Sequence, residues 1–183
     1  MESLILPALI VIIWLSYRYF KKRKMVKLIK QKYPNKELVE RIVKKHALDF
    51  STDSDNEILA SKNLEKAFLY WAENDLKRAR DCFQRTAQIT AQDDIPQYKS
   101  EIVTKIITEF TEYDDLFHDI IRDTQNILDK NPNILQTDIY AHLKEYSKRD
   151  IQYALYYADV KNLISRVKKN RSYILNNKDS NND

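Results

Sequence analysis

Leu135–Leu175 reads LQTDIYAHLKEYSKRDIQYALYYADVKNLISRVKKNRSYIL, and its order of signals decides the C-terminal fold. Thr137 is an N-cap residue type ahead of a short helical pattern, Asp138 to about Lys144, whose inward residues are Ile139, Tyr140 and Leu143. A tight connection follows at Glu145-Tyr146-Ser147. Ser147 suits the cap of a second helix, with Asp150 three residues on in a capping-box-like arrangement. There Ile151, Ala154, Leu155 and Ala158 recur at the spacing of a buried stripe. Lys148, Arg149, Gln152 and Tyr156 fall on the other side, and Tyr153 lies at the border. Asn162 stands where a helix often ends in a left-handed residue, usually Gly. Two extended stretches, Leu163–Val167 and Ser172–Leu175, then enclose Lys168-Lys169-Asn170-Arg171, which predicts a hairpin with a basic tip.

Composition narrows the rest. The chain has 183 residues, 43% of them apolar, so it can bury a core. It has no glycine. Turns that need positive φ must use Asn or Asp, and Gly-rich phosphate-cradling loops are excluded. The single Cys82 rules out an intrachain disulfide and a Cys-based zinc cluster, and its helical spacing among apolar residues reads as a buried structural thiol. The net charge of +4 is segregated. Residues 1–45 carry 12 Lys/Arg against 3 Glu, residues 93–123 carry 3 against 9 Asp/Glu, and residues 137–178 carry 9 against 4. Basic ends and an acidic middle imply different partners.

The N-terminus reads as a membrane anchor. Leu4, Ile5, Leu6, Leu9, Ile10, Val11, Ile12, Ile13, Trp14 and Leu15 dominate an uncharged run that Lys21-Lys22-Arg23-Lys24 follows. As a helix, Leu4–Phe20 is roughly 25 Å long, close to the roughly 30 Å hydrocarbon core. A cleaved signal peptide would place its positive charge before the run, and here the order is reversed. The positive-inside bias puts the N-terminus outside and the bulk of the chain in the cytoplasm. Met25, Val26, Leu28 and Ile29 form a short stripe among lysines, which suits either a solvated linker helix or contact with anionic lipid. After Pro34, Asn35 can cap a helix from Lys36 to about His46, with Leu38, Val39, Ile42 and Val43 on one side.

The middle reads as helices. Ser54 or Asp55 suits the cap of a helix running to Asn74, with Leu59, Leu64, Ala67, Phe68, Trp71 and Ala72 recurring. A tight turn at Glu73-Asn74-Asp75 leads to a second helix with Leu76, Ala79, Cys82, Phe83, Ala87 and Ile89. A long helical pattern spans Gln97 to Lys130, with a break near Tyr113-Asp114. Asp114, Asp115, His118, Asp119 and Asp123 line its polar side. Asp114 with His118, or Asp115 with Asp119, has the i,i+4 spacing of a metal pair, and a solvated acidic face explains them equally well. Asn131-Pro132-Asn133 breaks the helix, and Ile134 with Leu135 suits a short strand. No G-x-S-x-G, H-E-x-x-H or paired Cys is legible, so the expectation is a non-enzyme without cofactor, metal or small-molecule substrate.

On Thr137, Ile139, Leu143, Ser147, Ile151, Leu155, Asn162-Leu163-Ile164, Arg166, Arg171 and Tyr173, the segment of about Asp115–Asn176 resembles the winged helix-turn-helix superfamily. The resemblance departs from the family at Asn162, where Gly is usual. It implies major-groove docking by Ser147–Val160, with the Lys168–Arg171 wing on backbone or minor groove. The candidate DNA contacts are then Lys148, Arg149, Lys168, Lys169 and Arg171 for phosphates, Gln152 for a base edge, and Tyr156. Winged helices also serve as protein-interaction modules, and Tyr156 with Tyr157 is unusually aromatic for a groove reader. The central helix pair resembles one tetratricopeptide repeat at Ala67, Tyr70, Ala79 and Phe83, with Asn63 and Ala91 where that family has Trp and Pro. The expected organisation is a mainly α chain: an anchor over 1–20, basic juxtamembrane helices and linker over 21–55, a helical region over 56–112, a winged helix with a small β-hairpin over 113–178, and a disordered tail over 179–183. The expected function is membrane-anchored DNA binding. The alternative is a tethered adaptor that binds proteins.

Overall fold

The computed structural model describes residues 33–46, 50 and 54–178. The anchor expected at Leu4–Leu15, the basic stretch that follows it and the tail 179–183 lie outside the described residues. The described residues form seven α-helices, one 3-10 turn and a three-stranded antiparallel sheet, so the chain is mainly helical as expected. No helix among them is long and apolar enough to cross a membrane. They divide into two compact units between Val103 and Thr104.

The first unit holds α1 (Lys36–His46), α2 (Asp55–Ala72), α3 (Leu76–Thr90) and the start of α4 (Gln97–Phe110). The Asn35 carbonyl accepts the first helical bond of α1 from Val39. Its side-chain amide donates to the Trp71 carbonyl (3.1 Å) and to Asn74 Oδ1 (3.0 Å), tying α1 to the end of α2. Of the four apolar residues expected on one side of α1, Val39 and Ile42 are buried. Ser54 caps α2 by accepting from the Glu57 N–H, and Asp75 caps α3 by accepting from the Arg78 N–H. That bond and the adjacent Arg78 guanidinium hold the Asp75 carboxyl below its ordinary range. Between the helices Asn74 takes φ 61°, where most chains place Gly. Ala67 and Ala79 are fully buried, so the two helices approach closely. The Phe83 ring lies edge-on to Phe68 (5.8 Å) and Trp71 (6.0 Å). Cys82 is buried, and desolvation pushes its thiol up, as befits an unreactive packing residue. Leu59, expected in the apolar stripe, is instead 48% exposed. Ala60 takes the buried position beside it, because α2 turns a small residue toward its neighbour.

The second unit begins within α4. A 3-10 turn (Thr111–Tyr113) and extended Asp114 separate α4 from α5 (Asp115–Lys130), at the expected break. Asp114 is fully buried, not on the polar side. A face calculated for a continuous helix does not extend through a residue at φ −98°, ψ 96°. β1 (Ile134–Leu135), α6 (Gln136–His142), α7 (Lys148–Val160), β2 (Ile164–Lys169) and β3 (Ser172–Asn177) complete the unit. The sheet order is β1-β3-β2. Ile134 pairs with Leu175, Arg166 with Leu175 from the other side, and Lys169 with Ser172.

Thr137 does not cap α6. The helix starts at Gln136, directly after Leu135, and has no side-chain cap. Pairing of β1 with β3 fixes where the strand ends, so the helix begins one residue before the capping residue type. α6 also ends at His142, with Leu143 still buried beyond it. The β strands outrun their expected bounds, to Lys169 and to Asn177, which leaves only Asn170-Arg171 as the loop. Phe117 and Ile120 of α5, Ile139 of α6, Ile151, Leu155 and Ala158 of α7, Ile164 of β2 and Leu175 of β3 are the buried core. Asn133 (φ 64°), Asn162 (φ 59°) and Asn170 (φ 54°) join Asn74. All the positive-φ residues described are therefore asparagine, the residue a glycine-free chain has for that region.

Candidate nucleic-acid interface

α7 is built to show one face. Ser147 accepts from the Asp150 N–H (3.1 Å) and donates to its carboxylate (2.7 Å), so the capping pair starts the helix with Lys148 in its first turn. Lys148, Gln152, Tyr156 and Arg149 span about 100° of the helix circumference at 3.6 residues per turn. All four are exposed, while Ile151, Ala154, Leu155 and Ala158 are buried opposite. Lys148 Nζ lies 5.1 Å over the half-buried Tyr140 ring.

Strand register splits the basic hairpin. Paired residues of antiparallel strands share a face, and successive residues alternate. Ile164, Arg166 and Lys168 of β2 therefore share a face with Tyr173 and Leu175 of β3. That face carries the buried Ile164 and Leu175, and it is the one from which Arg166 reaches α7. Val167 and Lys169 share the opposite face with Ile174 and Ser172. Lys148, Arg149, Gln152 and Tyr156 thus share one exposed helix face, Lys168 shares a sheet face with Arg166, Arg171 stands at the hairpin tip, and Lys169 lies on the opposite sheet face. Lys168, Lys169 and Arg171 are all exposed.

Arg166 links these parts. Its guanidinium donates to Gln136 Oε1 of α6 at 3.1 and 3.3 Å. It lies 4.2 Å over the Tyr173 ring and 5.9 Å from the Tyr156 ring. Its backbone N–H donates to Asp159 of α7 (3.2 Å). Gln136 in turn donates to the Tyr140 hydroxyl (2.6 Å). Arg166 therefore sets the hairpin against α6 and α7. No local pattern announces this role, which depends on the register of a hairpin with a two-residue loop.

Tyr157, paired with Tyr156 as a candidate contact surface, is buried. Its ring packs against Tyr153 (5.2 Å), and burial raises its phenol well above the ordinary range. Tyr153 is buried rather than at a border, edge-on to Phe117 (6.4 Å). The face that remains outside carries one tyrosine, Tyr156, at 45% exposure.

Three of the polar residues of α5, His118, Asp119 and Asp123, meet neighbouring groups. His118 Nε2 lies 3.2 Å from the Glu112 carbonyl, and Asp119 pairs with Arg122 (2.9 Å). Among the described residues no group of three or more His, Cys, Asp or Glu is arranged to hold a metal. Asp123 accepts from the Tyr146 hydroxyl (2.8 Å), which ties the α6–α7 connection to α5. That bond to a carboxylate and partial burial push the Tyr146 phenol up to about 12.

A raised phenol pKa means that the folded chain holds the proton more tightly than the unfolded one. Its contribution is complete below the ordinary value of about 10 and is lost as pH climbs toward 12. Urea midpoints should therefore separate wild type from Tyr146→Phe at pH 9, and the gap should close on the alkaline side. A gap that stays constant across that range would rule the linkage out.

Compared with family models, curated proteins and solved structures, the chain matches none.

Proposed function

We propose that this chain is a membrane-anchored, cytoplasm-facing DNA-binding protein that acts through a C-terminal winged helix. The order α5-β1-α6-α7-β2-β3, with β3 between β1 and β2, supports the winged-helix reading, with α7 as recognition helix and the β2–β3 hairpin as wing. One observation carries the function: Lys148, Arg149 and Gln152 share the exposed face of α7 with Tyr156, and the basic hairpin, with Lys168 and Arg171 exposed, is held to that face through Arg166 beside Tyr156. The cations neutralise phosphates and Gln152 offers paired donor and acceptor to a base edge. The anchor rests on the uncharged run Leu4–Leu15 and the four basic residues from Lys21.

The full-length chain in detergent should bind DNA with an affinity that falls steeply as salt rises. Four phosphate contacts correspond to a log–log slope of about −3 to −4. Arg149→Glu and Arg171→Glu should each weaken binding about tenfold, since each replaces an attraction by a repulsion. Lys169→Glu, on the other sheet face, should weaken it less. For the anchor, the chain should stay with membranes through a high-salt wash, and recovery in the soluble fraction would sink that part.

A second reading, a non-enzymatic tethered adaptor, is favoured by the exposure of Val160, Leu163 and Val167 around the same module. No DNA binding even at low salt would leave that reading in place of the first.

A further inference from the structure

Tyr156 is out of place on a helix that reads a duplex. It sits in the exposed stripe between Gln152 and Val160, where a groove-reading side chain would meet base edges. A tyrosine offers an edge one hydroxyl, while its larger asset is a flat π-face. In a duplex the base faces are covered by their stacked neighbours and only the edges are on offer. An aromatic face among phosphate-binding cations therefore matches a base that is not paired or stacked.

The ring is also held. Tyr157, itself buried, meets it edge-to-face at 4.9 Å and 87°. The Arg166 guanidinium flanks it at 5.9 Å, and that group is fixed by Gln136 and Tyr173. An exposed side chain positioned beforehand by a buried neighbour and a bridged arginine loses less freedom when a ligand stacks on it. Lys148 shares the exposed helix face with Tyr156, and Lys168 shares a sheet face with the Arg166 that flanks the ring, so both are suited to the phosphates of a strand whose base occupies Tyr156. We propose that this surface takes nucleic acid with unpaired bases, one base stacking on Tyr156 and the backbone tracking the neighbouring lysines. The proposal rests on the nucleic-acid reading above and narrows its ligand from duplex grooves to unpaired strands.

The test compares an oligothymidylate of roughly 20 nucleotides with a duplex of equal length, on the full-length chain in detergent at low salt, by fluorescence anisotropy. The oligothymidylate should bind about tenfold more tightly than the duplex. Tyr156→Leu, which keeps an apolar side chain without a ring, should cost about tenfold on the oligothymidylate and no more than about threefold on the duplex, which presents edges and no free base face to the ring. Tyr156→Phe should retain the wild-type values, because stacking needs the ring and not the hydroxyl. Circular dichroism spectra matching wild type establish that these exposed-site variants are folded. Duplex binding that is sensitive to salt and to Arg149→Glu, with no single-strand preference, overturns this inference and leaves the DNA reading standing. A Phe variant as weak as the Leu variant also overturns it. Binding of neither probe removes both.

Discussion

Replacing Glu57 by Leu is expected to destabilise the chain by about 3–5 kcal/mol, far more than its place in the first turn of a helix would suggest. Glu57 and Lys99 form an ion pair of 2.8 Å with side chains 7% and 4% exposed. Lys99 Nζ also lies 5.6 Å from the Phe50 ring and 5.9 Å from the Tyr98 ring. The charges are unequal in their local settings. A carboxylate is favoured in the first turn of α2, where the free N–H groups point toward it, whereas an ammonium in the first turn of α4 meets that field with the wrong sign. Lys99 therefore depends on Glu57 more than Glu57 depends on Lys99. Removing the carboxylate leaves a buried cation without its 2.8 Å counter-charge, beside the Phe50 and Tyr98 rings. The double variant Glu57→Leu, Lys99→Met should regain most of the loss, because apolar groups of similar size pack without a desolvation penalty. Urea midpoints at constant m-value measure both. A single-variant loss of 1 kcal/mol or less would mean the pair behaves as an exposed one.

That pair was not legible in the sequence, and the reason is general to what was missed. Glu57 and Lys99 are 42 positions apart, on elements whose association no periodicity reports. The features that were legible are local. Ser147 with Asp150, a cap at Ser54 or Asp55 that the structure gives to Ser54, the Glu73-Asn74-Asp75 turn and the break before Asp115 each involve residues within one turn of one another. Asn162 was legible because a helix end needs a positive-φ residue and the chain has no Gly to supply it.

The candidate interface divides along the same line. Helical spacing placed Lys148, Arg149, Gln152 and Tyr156 on one face, and the structure leaves all four exposed. Spacing could not place Lys168 and Lys169, since a register shift of one residue exchanges their faces. The two-residue loop at Asn170-Arg171 decides it, pairing Lys169 with Ser172 and so Lys168 with Tyr173. Thr137 failed as a cap for a related reason: β1 pairs with a strand about forty residues later, and that pairing overrides the local preference. Arg166, read only as part of a family pattern, acquires its bridging role from three elements that meet in the fold.

Phe117→Ala is expected to cost about 3–5 kcal/mol, the other large effect, and it separates the scaffold of the interface from its surface. Phe117 is fully buried on α5. Tyr153 of α7 meets its ring edge-on at 6.4 Å, and Lys161 Nζ lies 5.4 Å over it while pairing with Glu112. Truncation removes the transfer free energy of the ring and leaves a space that α5 and α7 can fill only by shifting. The helix that shifts is the one whose outer face carries Lys148, Gln152 and Tyr156. Against a typical total stability of about 5–15 kcal/mol, such a loss removes a large share of what holds α7 in place. Phe117→Leu should recover much of it, since it restores most of the apolar volume. Tyr156→Ala, on the exposed face of the same helix, should stay within about 0.5 kcal/mol of wild type. The denaturation midpoint therefore orders the variants as Tyr156→Ala, Phe117→Leu, Phe117→Ala, while affinity for the oligothymidylate at a temperature where all are folded should fall most for Tyr156→Ala. If Tyr156→Ala proved the more destabilising of the two alanine variants, Tyr156 would belong to the core and could not serve as an exposed contact.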